Sequence, residues 1–176
     1  MRFFSKKYLT NAGKYVIINN VYVNEVWRIE WKYKSGIFRG VSLHDCEISG
    51  WVIGEDTVVR FEDGFDVFAE NPENSTGRHK RTGKAAVVLK KAAFISGKLS
   101  DDNGTAALTE DSITDLELDV LDFKRLPDSV LFACDAFRNG RDAGFCELEF
   151  SCADVIYCWN GYTGDAWFLR LNKRYV

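Results

Sequence analysis

His44, Asp45 and Cys46 are adjacent in "VSLHDCEISG", and His44 is one of only two histidines in the chain. A histidine beside a carboxylate and a thiol could supply a nucleophile with its base, or metal ligands. The spacing argues against both. On an extended strand residues 44 and 46 face one way and 45 the other, so the three cannot form a relay among themselves. Zinc needs four ligands, or three plus water. The missing ones would have to come from His79 or a distant cysteine, and the sequence has no C-x-x-C or H-x-x-x-H pair. The expectation is structural: His44 hydrogen-bonds the backbone of a neighbouring strand, Cys46 packs in the core, and no metal or cofactor is bound.

Three other stretches invite a chemical reading. "GRHKRTGK" resembles a phosphate loop, but Gly77 and Gly83 are one residue too far apart and Ala85 stands where a hydroxyl is needed. A weaker reading survives: Arg78, His79, Lys80, Arg81 and Lys84 hold an anion or an acidic partner. Its competitor is a solvated loop. "SDDNGTAALTED" places Asp101, Asn103 and Glu110 at three positions of a calcium loop, but Leu99 falls on the first ligand position and no flanking helices are visible. It reads better as a hairpin tip. Trp27, Trp31, Trp51, Trp159 and Trp167 could stack on a sugar, yet most sit in alternating registers that suit a core. For catalysis, Cys134 or Cys146 with His79 is the best set available, and no local sequence joins them. No catalytic residue is therefore assigned.

"SLHDCEI" followed by "DTVVRFEDGF" resembles a strand-turn-strand signature of small bacterial β-rich domains of unknown function, some described as immunity proteins of toxin systems. The matched positions are Leu43, His44, Asp45 and Ile48, within residues 41–68. The resemblance implies a non-catalytic β domain.

The elements that must carry these residues follow from period-2 patterning. Leu116, Leu118 and Val120 alternate with Asp115, Glu117 and Asp119, and Cys146, Leu148, Phe150 and Cys152 with Glu147, Glu149 and Ser151. Each reads as a strand with one wet face, as in antiparallel sheets. Strands are expected near 15–23, 25–34, 41–53, 57–62, 65–69, 84–95, 113–124, 145–152, 154–159 and 165–172. Asp63-Gly64 should join 57–62 to 65–69 as a hairpin, and Asn103-Gly104, Asn139-Gly140 and Asn160-Gly161 are further turns. Residues 127–139 fit a short helix or a strand equally. Residues 70–83 read as a long, mobile loop. The fold class is all-β: an antiparallel β-sandwich or strongly bent barrel with at most one or two short helices.

The 176 residues suggest a single domain, 1–176, large enough to bury about 70% of its unfolded surface. A net charge of −3 with interspersed signs excludes a general nucleic-acid binder, which needs a basic face. No apolar run is long enough for a membrane span or a signal-peptide core. Five cysteines without an export signal suggest reduced thiols in a cytoplasm. The expected function is binding to another protein, a basic one given the acidic "SDDNG" and "TEDSITD". The alternatives are a sugar- or small-ligand-binding module and, third, a metal- or thiol-dependent enzyme.

Overall fold

The computed structural model describes residues 6–9, 15–18 and 30–171. The chain groups into two compact units, residues 1–30 and 31–176. In the first, β1 (Lys6–Leu9) pairs antiparallel with β2 (Tyr15–Ile18). The rest of the strand expected at 15–23, and most of that expected at 25–34 with Trp27, lie outside the described residues.

The second unit begins with β3 (Tyr33–Ser35), β4 (Val41–Ser42), β5 (Cys46–Ile48), β6 (Gly50–Val52), β7 (Thr57–Phe61) and β8 (Asp66–Val67). Next come β9 (Lys80–Thr82), β10 (Ala85–Lys90), β11 (Ala93–Asp101), β12 (Gly104–Leu108) and the one-turn helix α1 (Glu110–Ile113). It ends with β13 (Glu117–Arg125), β14 (Ser129–Arg138), β15 (Arg141–Ser151), β16 (Asp154–Trp159), β17 (Tyr162–Asp165) and helix α2 (Trp167–Leu171). The strands form three antiparallel sheets, ordered β3-β16-β10-β7-β6, β12-β11-β15-β14-β13-β5 and β17-β9-β8-β4. None closes into a barrel, and the fold is an all-β, sandwich-like one.

The core forms because the apolar halves of these alternating strands face one another. Trp51 of β6 stacks on Phe150 of β15 at 5.5 Å and meets Phe132 of β14 edge-on, while Phe123 of β13 reaches Tyr157 of β16. These rings tie the five-stranded sheet to the six-stranded one. Each fully buried Phe or Leu contributes roughly 1.5–3 kcal/mol relative to exposure. Residues 129–138, open between helix and strand in the sequence, are a ten-residue strand. The pattern Val130, Phe132, Cys134, Ala136 is buried at every second position, and that settles the period.

Several expected elements are corrected. Residues 41–53 are not one strand. Asp45 takes a φ of 56°, the chain turns at 44–45, and β5 and β6 then join different sheets. Residues 57–62 and 65–69 do not pair as a hairpin: β7 pairs with β10 and β6, β8 with β9 and β4. The turn at Gly64 has a φ of 71°, but the Thr82 hydroxyl clamps both backbone groups of Phe65, drawing the chain toward β9. Residues 167–171, expected as strand, are helical. Phe168 packs against His79 and Phe68, which a helical turn after Ala166 permits. The strand expected at 84–95 breaks at Lys91, where φ is 50° and the chain crosses from the five-stranded to the six-stranded sheet. The Asn139-Gly140 turn is as expected, both residues having positive φ and linking β14 to β15.

Candidate functional site

The sequence-selected residues are positioned by these elements in ways that use up most of their chemistry. The His44 ring contacts the Leu121 carbonyl through Nδ1 at 2.6 Å, on the neighbouring β13, and its Nε2 is 3.5 Å from Asp45. Cys46 is fully buried, donates weakly to the His44 carbonyl and accepts from Arg81 at 3.2 Å. Burial pushes its thiol up to about 11, despite the nearby guanidinium. A thiol held protonated in this way is a poor nucleophile at neutral pH.

The basic stretch is internally paired. Arg78 and Lys80 both bind Asp165, at 2.7 and 2.9 Å, and Lys84 binds Glu62 at 2.7 Å. Arg81 lies 3.6 Å from Asp66, and His79 accepts from the Ala69 backbone N–H. Nor is residues 70–83 an unanchored loop. Asn71 is 2% exposed and Asn74 5% exposed, and residues 80–82 are the strand β9. Asn74 Nδ2 faces the carbonyls of Val67, Phe68 and Arg78, while its Oδ1 accepts from Thr76.

Asp101 caps its own turn, accepting from the Asn103 N–H at 2.8 Å, while Glu110 lies beyond the whole of β12. The proposed calcium ligands therefore do not converge. Among the described residues, no group of three or more His, Cys, Asp and Glu is arranged to hold a metal. Cys134 and Cys146 are buried register partners on β14 and β15, a pairing that sequence reading missed, and His79 lies elsewhere, just before β9, among Phe68 and Phe168. Trp159 is fully buried and Trp51 packs on the core, whereas Trp167 is partly exposed.

One feature of the surface is not consumed by the fold. The wet face of the six-stranded sheet carries Glu47, Asp119 and Asp135 in a single row, each the direct register partner of the next. Phe145 continues the row on β15 and is 39% exposed. Three inter-strand steps make this row about 14 Å long. Glu117 adds a carboxylate beside Glu47. Among the described residues, no Lys or Arg lies within ion-pairing distance of Glu47, Asp119 or Asp135. Partial desolvation, followed by the charge of Asp119, raises the Glu47 carboxyl; partial desolvation, followed by Asp135, raises Asp119. Directly opposed like charges destabilise a sheet by a few tenths of a kcal/mol to about 1 kcal/mol per pair. The alternation of Glu117 and Asp119 with Leu118 and Val120 places them on the wet face, but only the register shows that they stand opposite Glu47 and Asp135.

No known protein family, curated protein or solved structure matches the chain. No helix among the described residues is long and apolar enough to cross a membrane.

Proposed function

We propose that this chain is a non-catalytic binding domain, immunity-protein-like, that docks a basic protein on the wet face of its six-stranded sheet in a bacterial cytoplasm. The row Glu47–Asp119–Asp135 carries the reading. It concentrates repelling carboxylates where a stability-optimised sheet would alternate signs, and Lys or Arg side chains from a partner would relieve the repulsion. Phe145, exposed at the end of the row, supplies the kind of aromatic anchor around which protein interfaces concentrate their energy. The resemblance of residues 41–68 to immunity-like domains agrees with a protein partner.

The test starts from the product of the adjacent gene, since a toxin gene beside this one is what an immunity role requires. Titration calorimetry with the wild type and with Asp119→Asn/Asp135→Asn should show at least tenfold weaker binding by the variant and a steep loss of affinity with salt. Equal affinities would remove this face from the interface.

A further inference from the structure

β12 is the outermost strand of the six-stranded sheet, and no described strand pairs with its far side. In an antiparallel ladder every second residue of such a strand directs its N–H and C=O outward, a template for one more strand. Proteins blunt such edges with charges, prolines, bulges or short length. The other sheet-terminal strands, β5, β3, β6, β17 and β4, are two to four residues long. β12 is five residues long, "GTAAL", with no charge and no proline, and residues 104–107 are exposed. Its pairing with β11 runs without a bulge from Asp101–Gly104 to Gly97–Leu108. Gly104, Ala106 and Ala107 carry little or no side chain, so a second backbone can come close.

The charges at its ends indicate what fits. Asp101 and Asp102 precede it and Glu110 follows it, and all three are exposed. Arg138 and Arg141 share the surface groove beside Asp101, on the side of Leu99, and Lys98 is the register neighbour of Ala107 on the inner strand. Those cations belong to β11 and the β14–β15 turn, on the sheet side of β12, while exposed Asp102 and Glu110 stand at its two ends. A second copy of this chain would fit poorly. Antiparallel pairing of two β12 edges sets Asp102 of one copy near Glu110 of the other, and parallel pairing sets like acids side by side. We infer that β12 accepts, by strand addition, an extended protein segment that is uncharged over about five residues and carries Lys or Arg at both ends. The main-chain bonds give affinity, and the acidic ends select the partner and exclude self-pairing. The inference rests on the reading of the partner as a basic protein and names one way such a partner engages the sheet.

The probe is an acetylated and amidated nonapeptide, Lys-Arg-Thr-Val-Thr-Val-Thr-Arg-Lys. Its control is the same peptide N-methylated at the five central residues, which keeps every charge but cannot pair. NMR titration of the full chain should show slowed amide exchange at alternate residues of 104–108 on adding the probe. The methylated peptide should bind at least tenfold more weakly, and Asp102→Lys/Glu110→Lys should weaken the probe at least fivefold. Equal binding of both peptides overturns the inference, as does a footprint confined to Glu47, Asp119 and Asp135; the latter leaves the acidic-face reading standing. Conversely, strand pairing at β12 together with unaltered protein binding by Asp119→Asn/Asp135→Asn sustains the inference while the face reading fails. Sedimentation showing a dimer lost on Ala106→Lys would make the occupant a second copy and overturn the choice of partner.

Discussion

Arg81 and Asp66 are register partners on β9 and β8, and the guanidinium lies 3.6 Å from a carboxylate that is 1% exposed. Arg81 also donates to the Asp63 carbonyl and to Cys46, so one side chain joins the four-stranded sheet to the start of the six-stranded one. Breaking a buried pair by removing one partner costs about 3–5 kcal/mol, because the remaining charge stays buried. Arg81→Met should lower stability by that order in urea unfolding. Adding Asp66→Asn should recover a large part of the loss. A double variant no better than Arg81→Met would show that the pair is not what Arg81 contributes.

The acidic row sets a pH dependence. Glu47 and Asp119 are raised in the folded chain, by desolvation first and by neighbouring carboxylates second. In the window from their ordinary values upward through the raised ones, the folded state binds more protons than the unfolded state. Their contribution to stability is therefore greatest below that window and is lost as pH rises through it. Asp119→Asn should stabilise the chain at pH 7 by a few tenths of a kcal/mol to about 1 kcal/mol, solvent screening keeping it small. The gain should shrink at acid pH and in high salt. Thermal melts at pH 4.5 and 7 decide this, and a destabilised variant at pH 7 would contradict it.

The thiols should be silent in the native state. The five cysteines are free, and Cys46, Cys134, Cys146 and Cys158 are buried. Burial pushes Cys146 up to about 12 and Cys158 to about 11, and it raises Cys134 further. At pH 8 a thiol reagent should modify Cys152 alone, which is only partly buried, and all five after unfolding. Fast modification of Cys134 or Cys146 in the folded chain would refute this burial.

Strand content was legible where apolar residues recur at every second position, as at Leu118 and Val120 of β13 and at Cys146, Leu148 and Phe150 of β15; β14, whose apolar run "VLFACDAF" also suits a helix, stayed open. Sheet membership was not legible. β5 and β6 are separated by Ser49 alone yet belong to different sheets, since the Ser49 N–H pairs with the Arg60 carbonyl. No local pattern encodes that long-range choice. For the same reason the alternation marks Asp119 only as a wet position: that Glu47 and Asp135 stand on either side of it is a matter of register. The basic run 78–84 shows the same limit from the other side. Its acidic partners Asp66 and Asp165 lie far off in sequence, so ion pairs inside the fold look like a free cationic patch.

Asn74 gives the sharpest test of the segment that composition alone presents as a loose loop. Its Nδ2 lies 3.3, 2.9 and 2.8 Å from the carbonyls of Val67, Phe68 and Arg78, and its residue is 5% exposed. An amide donates into that cradle, but an ionised carboxylate would bring a charge against three acceptors. Leaving buried carbonyls unsatisfied costs about 1–3 kcal/mol, and a buried unpaired charge adds to this. Asn74→Asp should therefore destabilise by at least about 3 kcal/mol near neutral pH. The loss should lessen as pH falls and the carboxyl is protonated, because a protonated acid can donate one bond. Asn74→Ser, which keeps a donor but cannot span the cradle, should fall between the two. Amide exchange should speed up across residues 67–79 in both variants while the central strands β14 and β15 stay protected. If Asn74→Asp melts with the wild type at pH 7, the cradle does not hold this segment, and residues 70–79 are the open loop their composition suggests.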